Sequence, residues 1–239
     1  MDAAPTFPTP ETVSVMWRRA YWVVPARIPT QNLSDGYHHG AAEIEMAAAI
    51  DSLTHPSRLE EAGDLQRVPR GQRLIGPEAE PAMQAFTHLS PLCPSRFSDG
   101  SYGVYYAAES METALAEARF RFERWLRRTP ASATDLQMRV IVNQIRAPLH
   151  DLRPPEFAPL FDSNPQRYQP AQAYARLLRE GGAAGVLYRS VRREWGECVA
   201  VFRPDALTLP TLGPALAFHW NPESQSIDQV EPIDLGQDQ

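Results

Sequence analysis

Residues 95–128, SRFSDGSYGVYYAAESMETALAEARFRFERWLRR, decide how this chain is read. Ser98-Asp99-Gly100-Ser101 has the small polar residues of a turn, and 103–107 (GVYYA) has the aromatic and β-branched content of a strand. Successive strand residues point to opposite faces, so Tyr105 and Tyr106 are expected on different sides, one of them in the core. Ser110 then supplies an N-cap, and Glu112 places negative charge in the first helical turn. Met111, Ala114, Leu115, Ala118, Phe122, Trp125 and Leu126 fall on one helical stripe. Arg127 and Arg128 suit the negative end of that helix.

Working outward, residues 81–89 (PAMQAFTHL) predict a short helix opened by its proline. Residues 20–28 (AYWVVPARI) predict a strand ended by Pro25 and Pro29, and 40–53 predict a helix. On the other side, 136–145 (LQMRVIVNQI) read as a strand leading into a proline-rich loop over 147–170. Residues 170–180 read as a helix stopped by Gly181-Gly182. The segments 185–191 (GVLYRSV) and 197–204 (ECVAVFRP) read as two strands joined by a charged turn. Residues 1–15 read as a flexible leader and 222–239 as an acidic tail, leaving 16–221 as one domain. At 239 residues and 43% apolar content, the chain needs no second core.

The formal charge of −6 argues against nucleic acid as the main partner, since phosphate backbones are usually met by a basic field. All 23 basic residues are arginine. Without a lysine amine, Schiff-base chemistry and a phosphate-reaching P-loop lysine are excluded. Arginine remains well suited to phosphate as a planar fork. Two cysteines, Cys93 and Cys198, make neither a disulfide framework nor a zinc cluster, which predicts a reducing compartment. No signal peptide and no run of about 18 apolar residues is present, so a cytoplasmic protein that does not enter membranes is expected.

Individual polar residues have plain structural alternatives. Glu117 lies beside Arg121 at the spacing of a surface ion pair, Arg96 beside Phe97 reads equally as an ordinary arginine, and Ser190 as a strand serine. His38-His39 lacks the ligand spacing of a metal site, and none is predicted. His88 reads as a hydrogen-bonded buried histidine. No GxSxG elbow, GxGxxG turn or HExxH helix occurs.

The combination and order of these residues carry more than any one of them. Arg96-Phe97-Ser98-Asp99-Gly100, then 103–110 (GVYYAAES) and 113–117 (TALAE), resemble the core of the RES toxin family, named for its Arg-Glu-Ser signature. The resemblance continues at 53–59 (LTHPSRL), 85–88 (AFTH), 185–192 (GVLYRSVR) and 196–204 (GECVAVFRP). It spans roughly residues 20–220 and marks 16–221 as the RES domain.

The resemblance implies an α+β fold, a single domain with an ADP-ribosyltransferase-like, mostly antiparallel split β core and flanking helices. It implies the toxin half of a toxin–antitoxin pair, acting on NAD⁺ and neutralised by an Xre-like antitoxin that blocks the cleft. A homodimer within the toxin–antitoxin complex is a further expectation. NAD⁺ would be the substrate, with no prosthetic group and no metal. By matched position, Glu117 and Ser190 are the family glutamate and serine, catalytic residues, while Arg96 and Tyr106 bind the dinucleotide. The first signature arginine is assigned to Arg27, because Trp22 occupies its usual place. Arg67, Arg70 and Arg73 are the alternatives. Arg189 and Trp195 also depart from the family pattern.

Such residues fit the chemistry. Breaking the nicotinamide–ribose bond develops oxocarbenium character on the sugar, as glycoside cleavage does. A fixed carboxylate stabilises that charge, arginines suit pyrophosphate, and a tyrosine ring stacks on nicotinamide. Three readings stand open on the sequence: NAD⁺ glycohydrolase or phosphorylase, protein mono-ADP-ribosyltransferase, and a catalytically inactive antitoxin-binding module.

Overall fold

The computed structural model describes residues 7–26, 64–87, 94–128 and 132–235. The predicted helix over 40–53, Arg27, His38-His39, His88 and Cys93 lie outside the described residues. In chain order the regular elements are β1 (Thr12–Pro25), α1 (Glu80–Thr87), β2 (Tyr105–Ala108), α2 (Met111–Leu126), β3 (Thr134–Asp151), α3 (Gln169–Glu180), β4 (Gly185–Arg189), β5 (Glu197–Val201), β6 (Thr211–Asn221) and β7 (Ser226–Ile233). They form an α+β domain on one mixed sheet of seven strands, ordered β1-β2-β5-β4-β3-β6-β7.

β1 pairs with β3 as well as with β2, so the pairings β1–β2–β5–β4–β3–β1 close a ring. The β6–β7 hairpin extends from it. β3 is where the sheet splits. One edge pairs with β1 along most of its length, whereas the other meets β6 over residues 134–142 and β4 only at His150 and Asp151. The β3–β4 contact is parallel and every other pairing is antiparallel.

Strand alternation divides the side chains between two cores. Tyr105, Ala107, Leu187, Val199 and Val201 face one, with Met83 and Phe86 of α1. Ala108, Tyr188, Cys198 and Ala200 face the other, under α2 and α3. The two neighbouring tyrosines therefore part company as expected. Tyr105 is fully buried and donates to Asn143 Oδ1 at 2.6 Å, while Tyr106 lies on the α2 side. α1 approaches β2 so closely that a Cβ on Gly103 would lie 2.2 Å from the Ala85 carbonyl oxygen. Only glycine fits there.

α2 forms as its sequence predicts. Ser110 Oγ accepts from Thr113 N at 3.2 Å, satisfying one of the open amides of the first turn. Ala114, Ala118 and Leu126 are buried, with Met111, Leu115, Phe122 and Trp125 packed beside them.

Four boundaries differ from the sequence reading. β1 begins at Thr12, inside the stretch read as a leader, because residues 12–17 pair with 145–150 of β3. β3 runs on to Asp151 through Pro148, where a proline loop was expected. Even-numbered β3 amides point to the β4–β6 edge, as those of Gln144 and Leu152 do. Among the described residues that edge has no strand between the isolated bridge at Ile145 and the β4 pairing at His150, so the missing Pro148 N–H breaks no ladder bond there. The acidic tail from 222 contains β7, seated on β6 through the buried Ile227. β6 itself lies in a segment that the strand pattern did not single out.

Candidate active site

Glu117 and Ser190 meet over the α2 face of the sheet. Ser190 follows the last residue of β4, and Glu117 stands on the flank of α2, clear of its apolar stripe. Ser190 Oγ donates to Glu117 Oε1 at 2.6 Å and accepts from the backbone N–H groups of Arg192 and Arg193, both at 3.1 Å. The hydroxyl is thereby used as one donor and two acceptors, its full capacity. A charge-assisted bond of this kind contributes about 1.5–3 kcal/mol and fixes the carboxylate's orientation. Oε2 carries no hydrogen bond among the described residues.

The loop after Ser190 is docked on the same helix flank. Thr113, Glu117 and Phe120 recur at the i, i+4, i+7 spacing that aligns side chains along one side of a helix. Each meets one loop residue. Arg193 Nη1 donates to Thr113 Oγ1 at 3.4 Å, Ser190 holds Glu117, and the Arg192 guanidinium carbon lies 3.2 Å from the centre of the Phe120 ring. Arg192 Nη2 also donates to the Ser163 carbonyl at 2.7 Å. The turn closes with Ser190 N on Gly196 O at 2.8 Å and Trp195 at a φ of 60°. A Cβ on Gly196 would lie 2.7 Å from both branches of the buried Thr113 side chain, so glycine permits this docking. At the hairpin base, Arg153 bridges Asp151 at 2.7 Å and Glu197 at 2.6 Å. Its guanidinium, hydrogen-bonded to Asp151, holds that carboxyl below the usual aspartate range.

Beneath the pair lie Tyr188 and Cys198, on the same face two residues before Ser190 and across from it. Burial pushes the Tyr188 phenol well up and does the same to the Cys198 thiol, with the neighbouring Glu117 carboxylate adding to both. Both stay neutral. Tyr188 packs edge-on to Phe97 at 5.1 Å and stacks on Phe161 at 5.6 Å.

Arg96 and Tyr106 join this aromatic wall rather than standing free. Arg96 is buried, with Nη1 donating to the Leu160 and Asp162 carbonyls at 3.1 and 2.9 Å and Nη2 to the Tyr168 hydroxyl at 3.3 Å. Its guanidinium lies 4.4 Å from the centre of the Tyr168 ring. The Tyr106 hydroxyl bonds Ser95 Oγ at 2.7 Å and accepts from Phe97 N at 3.1 Å. The fold thus brings Arg96, Tyr106, Glu117 and Ser190 to one face, but the first two are bonded into its frame. The ion pair that competed for Glu117 does not form. Arg121 donates to the Val23 carbonyl at 2.7 Å and is only a charge neighbour of Glu117.

The residues that depart from the family pattern lie off the pair. Trp22 faces the other core, edge-on to Tyr105 at 4.8 Å. Arg189 is exposed and sits over the Trp195 ring at 6.0 Å. Sequence reasoning passed over Tyr188, Arg192, Arg193 and Thr113. Period-two spacing from Ser190 marks Tyr188, and four-residue spacing from Glu117 marks Thr113. Arg192 closes the 185–192 stretch that carries the family resemblance, but its spacing signals no role.

Fold and site together define an α+β protein that holds a helix carboxylate against a strand-end serine over a partly closed sheet. The chain belongs to the RES domain family, whose model matches residues 64–221. It is 30% identical over 190 residues to the uncharacterized protein y4oC of Sinorhizobium fredii (strain NBRC 101917 / NGR234), a match covering 78% of this chain and 76% of that one. Among solved structures it is similar to the M. tuberculosis MbcT–MbcA toxin–antitoxin complex, at 13% identity and a TM-score of 0.41, covering 90% of this chain and 89% of that chain. No helix among the described residues is long and apolar enough to cross a membrane.

Proposed function

We propose that this chain is the toxin of a toxin–antitoxin pair and cleaves NAD⁺ at the nicotinamide–ribose bond. The observation that carries the reading is the 2.6 Å bond from Ser190 to Glu117, which orients a carboxylate whose second oxygen has no partner among the described residues. A carboxylate so held stabilises positive charge developing on the ribose and accepts a bond from a ribose hydroxyl. The C1′–N bond breaks with its electron pair going to nicotinamide, a neutral leaving group that requires no general acid. Water or phosphate then bonds C1′, giving ADP-ribose and a proton, or ADP-ribose-1-phosphate. Transfer to a protein acceptor uses the same site.

The positions of Trp22 and Arg189 support an active enzyme over an inactive binding module, because neither departure removes a group from the Glu117–Ser190 pair. Purified protein incubated with NAD⁺, with and without phosphate and cell lysate, separates the acceptors. Free ADP-ribose, ADP-ribose-1-phosphate or labelled protein selects one, and intact NAD⁺ in all arms refutes catalysis. An unrestrained NAD⁺-consuming enzyme would starve its own cell, so an Xre-like antitoxin occluding this face is part of the reading. Co-expression with the neighbouring small open reading frame should yield a complex with suppressed NAD⁺ turnover. A bound neighbour that leaves turnover untouched refutes occlusion.

A further inference from the structure

The sequence resemblance implies Arg96 at the dinucleotide, yet three of its donors are spent on Leu160, Asp162 and Tyr168, and the residue is only 7% exposed. A guanidinium so engaged has little left for a pyrophosphate without breaking its own bonds. Arg192 is placed differently. It is half-buried, its backbone N–H holds Ser190 Oγ, and its guanidinium lies on Phe120, one helical turn beyond Glu117. Of its five side-chain donors, only Nη2 has a hydrogen bond among the described residues, to Ser163 O.

We propose that Arg192 is the phosphate-binding residue of this site: the ring of Phe120 and the Ser163 carbonyl hold its guanidinium beside the Glu117–Ser190 pair, where its free donors meet the pyrophosphate of the dinucleotide. The inference rests on the NAD⁺ reading and names the group that recognises the substrate's anionic part. Phe120 stacks against one face of the fork and Ser163 takes one edge, which limits the rotamers an exposed arginine would otherwise lose on binding. The same loop turn that presents Ser190 to Glu117 presents Arg192, so ribose and phosphate recognition are set by one piece of backbone. Arg193, tied to Thr113, anchors that turn.

The test is calorimetric binding of NAD⁺ to the wild-type, Arg192→Gln, Arg192→Lys and Arg96→Gln proteins at low and high salt, with a melting curve for each. Arg192→Gln should weaken NAD⁺ binding about ten- to hundredfold at low salt, the scale of a lost charged hydrogen bond. It should also flatten the salt dependence, since a phosphate contact is screened by ions and loop packing is not. Arg192→Lys should recover part of the affinity and the salt slope, because it keeps charge but loses the fork. Arg96→Gln should lower the melting temperature while its folded fraction keeps the wild-type salt slope. Binding by Arg192→Gln within about twofold of wild type, or a loss that is the same at both salt levels, overturns the assignment. Wild-type protein that fails to bind NAD⁺ overturns the proposed function, and this inference with it.

Discussion

Ser190 Oγ donates to Glu117 Oε1 at 2.6 Å across 73 residues of chain. The bond is made by the strand ring beneath it. Across β2, β5 and β4, Ala108, Cys198 and Tyr188 lie abreast on one face, and α2 leaves β2 just beyond Ala108. The helix flank and the end of β4 are thereby brought within reach of each other.

Replacing Glu117 by Gln should leave α2 intact, since the two side chains have nearly equal helix propensity. NAD⁺ consumption should fall by about 10²–10³-fold, the scale of losing one preorganised electrostatic group. Turnover assays with circular dichroism check this. Equal consumption by the variant removes Glu117 from the mechanism.

Gly196→Ala should displace the 190–196 loop, because the added methyl meets the Thr113 side chain at 2.7 Å. A stability loss of about 1–3 kcal/mol is expected from such overpacking, with a larger proportional loss of activity. Thr113→Ala in the same chain should relieve the collision. A double-mutant cycle showing no coupling between the two positions contradicts the docking described.

Arg96→Lys should destabilise the fold by roughly 2 kcal/mol, because an ammonium cannot bond two carbonyls in a plane and stack on Tyr168 at once. Urea unfolding midpoints measure it. An unchanged midpoint would mean that the buried network contributes nothing.

Trp22→Arg, the change toward the family's signature, should not raise activity. It places a cation against Tyr105 in the second core, away from Glu117, and should cost roughly 3 kcal/mol or more. A gain in NAD⁺ turnover would show that position 22 reaches the site.

His219 bonds Asp135 at 2.6 Å and Glu231 at 3.1 Å, tying β6 to β3 and β7. The hydrogen bond to Asp135 raises its pKa above the ordinary 6.5. A group whose folded pKa is raised stabilises fully below its unfolded value. That contribution is lost as pH rises through the folded pKa. The stability difference between wild type and His219→Gln should therefore be largest below pH 6.5 and fade above it. A difference that stays constant or grows with pH contradicts the ion pairing.

Local signals suffice where the code is local. α2 was legible because Ser110 caps it and seven apolar residues repeat at its period, and the β4–β5 hairpin because two strand-like runs flank one polar turn. Glu117 and Ser190 were legible as members of a residue pattern, and the parting of Tyr105 from Tyr106 followed from period two alone. What tertiary structure decided depends on partners distant in sequence. Thr12 begins a strand only because His150 lies beside it, Pro148 is tolerated because its edge of β3 has no partner strand there among the described residues, and Ile227 makes a strand of an acidic tail by burying against β6 and α2. Arg96 and Arg192 show the same limit at the site. Both are arginines beside an aromatic-rich wall, and nothing in their neighbouring residues says which has its donors spent. That follows from which backbone carbonyls the folded chain brings within about 3 Å of each guanidinium.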